Sequence, residues 1–207
     1  MTSLENMEPL EPLVGCGGPD AQDPTDNVNK RIIWLDLEMS GLDVNKERII
    51  EIAVAVTNAD LTKIAEGPNI IIHQEDSLLD AMDPWCVKTH GESGLTAAVK
   101  ESKVSEAEAE KSVLDFVKLY TTKGKCVLGG NSIYMDKMFL MKYMPDFSDH
   151  LHYRLVDVST LKELIKGWMP EVVKNAPKKG NTHRSRDDIR ESIKELKYYK
   201  SAAFIPH

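Results

Sequence analysis

The stretch Ile32-Ile33-Trp34-Leu35-Asp36-Leu37-Glu38 decides the fold. It is short and apolar and carries neither Gly nor Pro, the signature of a strand buried on both faces. Side chains alternate along a strand, so Asp36 and Glu38, two apart at its C-terminal end, point to the same side. Two like charges held together at the end of a buried strand are costly unless a cation neutralises them. Oxygen ligands of that kind suit a hard divalent metal such as Mg²⁺ or Mn²⁺. Taken alone, the same pair also fits two acids on a solvated strand end.

Outward from this strand, Ser40 to Lys46 is turn-like and Arg48 to Val56 resumes a pattern rich in Ile and Val. Asn58-Ala59-Asp60 turns the chain again, and Ile64 to His73 forms a third strand, completing an antiparallel meander. Gln74 to Ser102 is looser, with Pro84 suited to the first turn of a short helix. Ser105 and Glu108 form an S-x-x-E capping box opening a helix to about Tyr120, with Val113, Phe116, Val117 and Tyr120 at helical spacing. A fourth strand spans Lys125 to Gly130, a helix Met135 to Met144, a fifth strand Tyr153 to Val158 and a helix Thr160 to Trp168. Met169 to Thr182 reads as a loop, and Arg184 to about Lys200 as a last helix with Ile189, Ile193 and Leu196 on one face. Together these predict a mixed five-stranded α/β sheet, an antiparallel meander followed by alternating helices and strands, with helices on both faces. Sites in such sheets lie outside the carboxyl ends of strands, where Asp36 and Glu38 stand.

The 207 residues suit one domain, expected over 31–201, with an acidic, unstructured lead-in over 1–30 and a short tail over 202–207. The net charge is −7. The lead-in contributes six acids against Lys30 alone, a net of −5, which leaves −2 for the rest. That balance excludes a generic basic grip on long nucleic acid but allows local anion binding. Cys16, Cys86 and Cys126 are too few and too scattered for a disulfide framework or a zinc site. No apolar stretch is long enough to cross a bilayer, and no secretory signal or Arg-rich presequence is visible. The expectation is an intracellular protein, cytoplasmic, with the mitochondrion as the alternative.

Further acids gather chemical interest only in combination. Asp136 opens a helix after the Gly129-Gly130-Asn131-Ser132 turn; alone it is an ordinary helix-start acid. His183 stands at the mouth of the last helix, with Asp187 and Asp188 just inside it. The order Asp-x-Glu, helix-start Asp, His-x-x-x-x-Asp resembles the DEDDh group of 3′→5′ exonucleases. The closer resemblance is to the oligoribonuclease family, carried by Asp36-Leu37-Glu38-Met39-Ser40-Gly41-Leu42-Asp43, Leu151-His152-Tyr153-Arg154, Asp157 to Leu164, Ala176-Pro177-Lys178-Lys179 and His183 to Ile193. It extends from about Arg31 to Tyr199.

The resemblance implies an RNase H-like sheet, a homodimer and hydrolysis of very short single-stranded RNA, two to five nucleotides and dinucleotides above all, to 5′-mononucleotides. It implies that Asp36, Glu38, Asp136 and Asp188 hold two divalent cations, Mg²⁺ or Mn²⁺, and that His183 is the general base. The His-to-Asp spacing selects Asp188 over Asp187. Leu42 resembles the wedge between the last two bases, and Trp85 and Tyr153 resemble stacking surfaces, the latter reaching in from the other protomer. His90 resembles a substrate contact. Ser132, Arg154, Ser159 and Thr160 resemble a cap on the 5′-phosphate. Competing expectations are a proofreading or repair DNA exonuclease of the same chemistry, and a nucleotide-binding module without activity.

Overall fold

The computed structural model describes residues 10–16, 26–178, 180 and 184–204. Its centre is the pair β2 (Ile32–Met39) and β3 (Ile49–Thr57), antiparallel, with every residue of β3 buried. β4 (Lys63–Ile71) continues the meander on one side. On the other, β5 (Val127–Gly130) runs parallel to β2, and β6 (Leu155–Asp157) parallel to β5. This is the expected mixed sheet.

Helices cover both faces. Ile33, Leu35 and Leu37 of β2 point into one core, filled by α4 (Glu106–Tyr120), α5 (Ile133–Tyr143) and α6 (Pro145–His150). Ile32 and Trp34 point into the other, closed by α7 (Val158–Trp168), α8 (Pro170–Lys174) and α9 (Ser185–Ala203). The two apolar faces of β2 explain why its sequence shows a continuous run and no alternation. The Ser105–Glu108 capping box forms as expected at the start of α4. Among the described residues no helix is long and apolar enough to cross a membrane.

The structure corrects the expectation in three places. First, the sheet has six strands: β1 (Glu11–Pro12) pairs with β4 in the order β1-β4-β3-β2-β5-β6. The lead-in is therefore not without structure over its described parts. The Glu11 and Leu13 amides donate to the Thr62 and Ile64 carbonyls at 2.9 Å, and Leu13 is buried in the first core. Buried Arg31 pairs with Asp26 and also donates to the Tyr120 carbonyl. The physical reason is that an unpaired β4 edge offers free backbone groups, and Leu13 supplies the apolar contact that holds a strand there. Second, 74–102 holds more helix than expected: the short helix opened by Pro84 forms as α2 (Pro84–Glu92), and α1 (Asp76–Asp80) and α3 (Leu95–Glu101) flank it, packing Leu79, Cys86, Leu95 and Val99 around Ile50. Third, α8 interrupts the expected loop over 169–182, with Pro170 at its first turn, and α9 runs past residue 201 to Ala203.

If β1 is held chiefly by Leu13, Leu13→Ala should cost about 2–3 kcal/mol, within the range for truncating a buried leucine. Urea unfolding followed by circular dichroism measures this; an unchanged midpoint would mean that the strap contributes nothing to stability.

Candidate active site

The acids come from three elements. Asp36 and Glu38 project from the end of β2 onto the face covered by α9. Asp188 enters from the first turn of α9. Ligand oxygens of these three residues lie within 4.8 Å of one another. Asp187, one residue earlier, turns outward and pairs with Arg190 at 3.7 Å. Asp136, buried on the first turn of α5, closes the group from the other side: its Oδ1 accepts the Leu37 amide, between Asp36 and Glu38, at 2.9 Å.

Packing the acids this closely changes their chemistry. Burial, then the charges of Asp136, Glu38 and Asp188, push the Asp36 carboxyl well above its ordinary range, while the Ser185 hydroxyl beside it favours the anion. Burial, Asp188, Glu51 and Asp136 push Glu38 up to about 8, partly offset by Arg184. Burial raises Asp136 to about 7 against the stabilising Leu37 amide. The donor set is all carboxylate oxygen, which suits a hard divalent ion. Oxygens on one Mg²⁺ at about 2.1 Å lie about 3.0 Å apart when adjacent and about 4.2 Å apart when opposite. The observed cluster approaches that spacing, so the residues fit the ion.

The other expected site residues fall into three groups. Leu42, Trp85 and Tyr153 stand out from the surface, at 67%, 58% and 76% exposure. The Leu42 turn is held from behind, where Lys142 and Tyr143 of α5 donate to the Val44 carbonyl. Tyr153 stacks on His152 at 4.5 Å, and the Arg154 guanidinium lies 5.3 Å over its ring. His90, by contrast, is buried: its Nε2 lies 3.0 Å from the Met39 carbonyl and its Nδ1 4.0 Å from Glu38. It sits behind the cleft, with Trp85 edge-on to it at 6.5 Å.

Ser132, Ser159 and Thr160 are brought together around a residue the sequence reading passed over, Asp157. Its Oδ1 accepts the Ser132, Ser159 and Thr160 amides at 3.0, 2.9 and 3.4 Å. The Ser132 and Ser159 hydroxyls lie 3.3 Å apart, and the latter donates to Asn131 Oδ1. Ser132 is held at φ 52°, in the left-handed region that a residue with a side chain adopts only when its surroundings impose it. His183 lies outside the described residues, as does Lys179.

The sequence reading gave Glu51 no role of its own, although Ile49-Ile50-Glu51-Ile52-Ala53 follows the first exonuclease-like motif. It was read as one member of an apolar strand, yet it is fully buried and ion-paired with Arg184 across 133 residues. A single acid inside Ile49-Ile50-Glu51-Ile52-Ala53 was the available signal, because a buried charge requires a partner.

The Exonuclease family model matches residues 33–196. A Haemophilus influenzae oligoribonuclease is 56% identical over 177 residues, 86% of this chain and 96% of its own length. The human mitochondrial oligoribonuclease is 54% identical over 179 residues, 86% of this chain and 76% of its own. The chain belongs to the oligoribonuclease family. Like that family it is a 3′→5′ exonuclease, a phosphodiester hydrolase; the exonuclease family is metal-dependent, and this chain carries the acid cluster described above. Escherichia coli exonuclease I crystallised with a dA16 oligonucleotide aligns with a TM-score of 0.65 at 16% identity, over 84% of this chain and 41% of that one. Exonuclease I from Methylocaldum szegediense gives 0.62 at 16%, again over 84% and 41%. The chain thus spans about two-fifths of the exonuclease I chains, and the likeness establishes a shared RNase H-like fold.

The carboxyl shifts set a sign for stability. Above about pH 5 the unfolded chain has released protons that native Glu38 and Asp136 keep until about pH 8 and 7. The native state then binds more protons, so stability falls as pH rises through that window. In EDTA the oligoribonuclease-family enzyme should melt progressively lower from about pH 5 to about pH 8. Asp36→Asn should flatten the decline, and Mn²⁺ should abolish it. Differential scanning fluorimetry reads all three; a Tm independent of pH would show that the acids do not repel one another.

Proposed function

We propose that this exonuclease degrades very short single-stranded RNA, two to five nucleotides and dinucleotides above all, releasing 5′-mononucleotides from the 3′ end. Asp36, Glu38, Asp136 and Asp188 hold two divalent cations, Mg²⁺ or Mn²⁺, and His183 is the general base. The observation that carries the reading is the convergence of β2, α5 and α9 on one acid cluster, with oxygens of Asp36, Glu38 and Asp188 within 4.8 Å of one another and Asp136 on the Leu37 amide between the first two. The cations, when bound, stabilise charge on the attacking and leaving oxygens of an in-line phosphoryl displacement.

The protein's own groups do the rest. His183, just ahead of α9, takes the proton of the attacking water as a neutral imidazole. Leu42, exposed on an anchored turn, wedges between the last two bases, and Trp85 stacks on one of them. Stacking of a base on an aromatic ring contributes about 1–3 kcal/mol and tolerates any sequence. Tyr153 stacks from the other protomer of a homodimer. A second copy is supported by the face of α5 formed by Tyr134, Met138 and Met141, all exposed and one or two turns apart. Ser132, Ser159 and Thr160, gathered by Asp157, cap the 5′-phosphate together with the Arg154 fork. His90 acts from behind the cleft, against Glu38. The cell compartment follows the relatives, mitochondrial by name in human and bacterial elsewhere.

Chromatography of the products from a 5′-phosphorylated diribonucleotide, long RNA and single-stranded DNA, each with Mn²⁺, tests the assignment. Fast conversion of the dinucleotide to mononucleotides is expected. Preference for DNA would replace the reading with a repair-type exonuclease, and binding without turnover with an inactive module. Asp36→Ala or Asp188→Ala should cut kcat about a thousandfold, which is about 4 kcal/mol of transition-state stabilisation. Arg154→Ala should weaken the dinucleotide about tenfold more than a pentanucleotide, in line with a charged hydrogen bond. Equal loss at both lengths would remove the cap.

A further inference from the structure

We propose that Glu51 is a positioning residue of this exonuclease. It clamps the mouth of α9 to β3 and thereby fixes Asp188 against Asp36 and Glu38. The proposal rests on the acid cluster being the catalytic centre, as argued above.

Glu51 stands directly opposite Glu38 in the β2–β3 ladder and is fully buried. A fifth acid beside four others would be costly if it served only to fill the cluster, and its oxygens are not in the group formed by Asp36, Glu38 and Asp188. They are committed elsewhere. Arg184 Nε donates to Oε2 at 3.2 Å and Nη2 to Oε1 at 3.1 Å, a two-point fork. The Ser185 amide donates to Oε2 at 3.5 Å and Asn69 Nδ2 to Oε1 at 2.8 Å. All three donors come from outside β3.

Arg184 is the N-cap residue of α9, and its side chain makes no cap bond within the helix. A guanidinium has no acceptor to offer the helix's amides; it donates to Glu51, and Glu51 in turn accepts the Ser185 amide. One carboxylate therefore does two things: it supplies the missing cap and ties the first turn to the sheet. Asp188 lies in that first turn, and His183 is the residue before Arg184. A fork fixes orientation as well as distance, and a displacement of about 1 Å at such a site costs about a hundredfold in rate. Arg184 also supplies the positive charge that offsets the repulsion on Glu38.

Glu51→Gln, Arg184→Gln and the double variant of the full chain test the clamp, with Asp188→Asn alongside. The readouts are the thermal melt, kcat and KM on the 5′-phosphorylated diribonucleotide with Mn²⁺, and Mn²⁺ affinity from the free-ion electron paramagnetic resonance signal. Glu51→Gln should keep a cooperative melt and an unchanged KM, while kcat and Mn²⁺ affinity each fall about ten- to a hundredfold, as for groups that orient metal ligands. Arg184→Gln should lose as much, and the double variant no more than either. A Glu51→Gln protein with wild-type kcat and Mn²⁺ affinity overturns the clamp, as do losses that add in the double variant. If Glu51→Gln fails to fold, Arg184→Gln, changed on the partly exposed side of the pair, decides by the same measurements. Asp188→Asn with full turnover would sink the catalytic reading itself; Asp188→Asn inactive beside a wild-type Glu51→Gln sinks the clamp alone.

Discussion

Carboxylates cannot share a buried cleft at neutral pH unless something positive joins them or protons stay on. This constraint organises the molecule. Asp36, Glu38 and Asp188 sit within one ion's reach, with Asp136 behind them. Burial raises the carboxyls of Asp36, Glu38 and Asp136, and acidic neighbours raise Asp36 and Glu38 further. The surrounding sheet tolerates the repulsion because β2 and β3 are anchored in apolar cores on both faces. The stress is confined to one strand end and the first turns of α5 and α9, and a bound cation would convert it into affinity.

Fold and site were legible in the sequence to different degrees. The β2 run was readable because a strand buried twice over is apolar without interruption, and α4 because its capping box writes its own start. β1 was not, since two residues, one of them a proline, carry no period; only the open edge of β4 makes them a strand. The Pro84 helix was readable from its proline, but α1 and α3 on either side were obscured for a similar reason. They run five to seven residues and close around Ile50, a contact no local pattern encodes. Among site residues, the Asp-x-Glu spacing fixed a common face for Asp36 and Glu38. The choice of Asp188 over Asp187 came from family spacing, and helix rotation now separates the two.

Glu51 and Asp157 mark where local reading stops. Each is a lone acid whose meaning lies in distant donors: Arg184, 133 residues away, for Glu51, and the Ser132 amide, 25 away, for Asp157. His90 is the converse. It resembles a substrate contact in the sequence, and in the fold its ring is buried with Nε2 on the Met39 carbonyl and Nδ1 4.0 Å from Glu38, neighbours that its spacing from Trp85 does not reveal.

Sheet geometry bears on substrate length. β2, β5 and β6 are adjacent and parallel, so their carboxyl ends align along one edge. Trp34 is level with Gly129, which places Asp36 level with Asn131, one residue short of Ser132. Gly130 is level with Asp157, which gathers Ser159 and Thr160. Neighbouring strands are about 4.8 Å apart, so on the proposed assignment the cap lies about 5–10 Å across the sheet from the acids. That gap leaves room for one or two nucleotides between a cation and a terminal phosphate. A longer chain would have to run past the Ser132 turn, whose amide is held by Asp157 and Ser159. The proposed dinucleotide preference would then be a matter of strand spacing, with no need of an extended phosphate track.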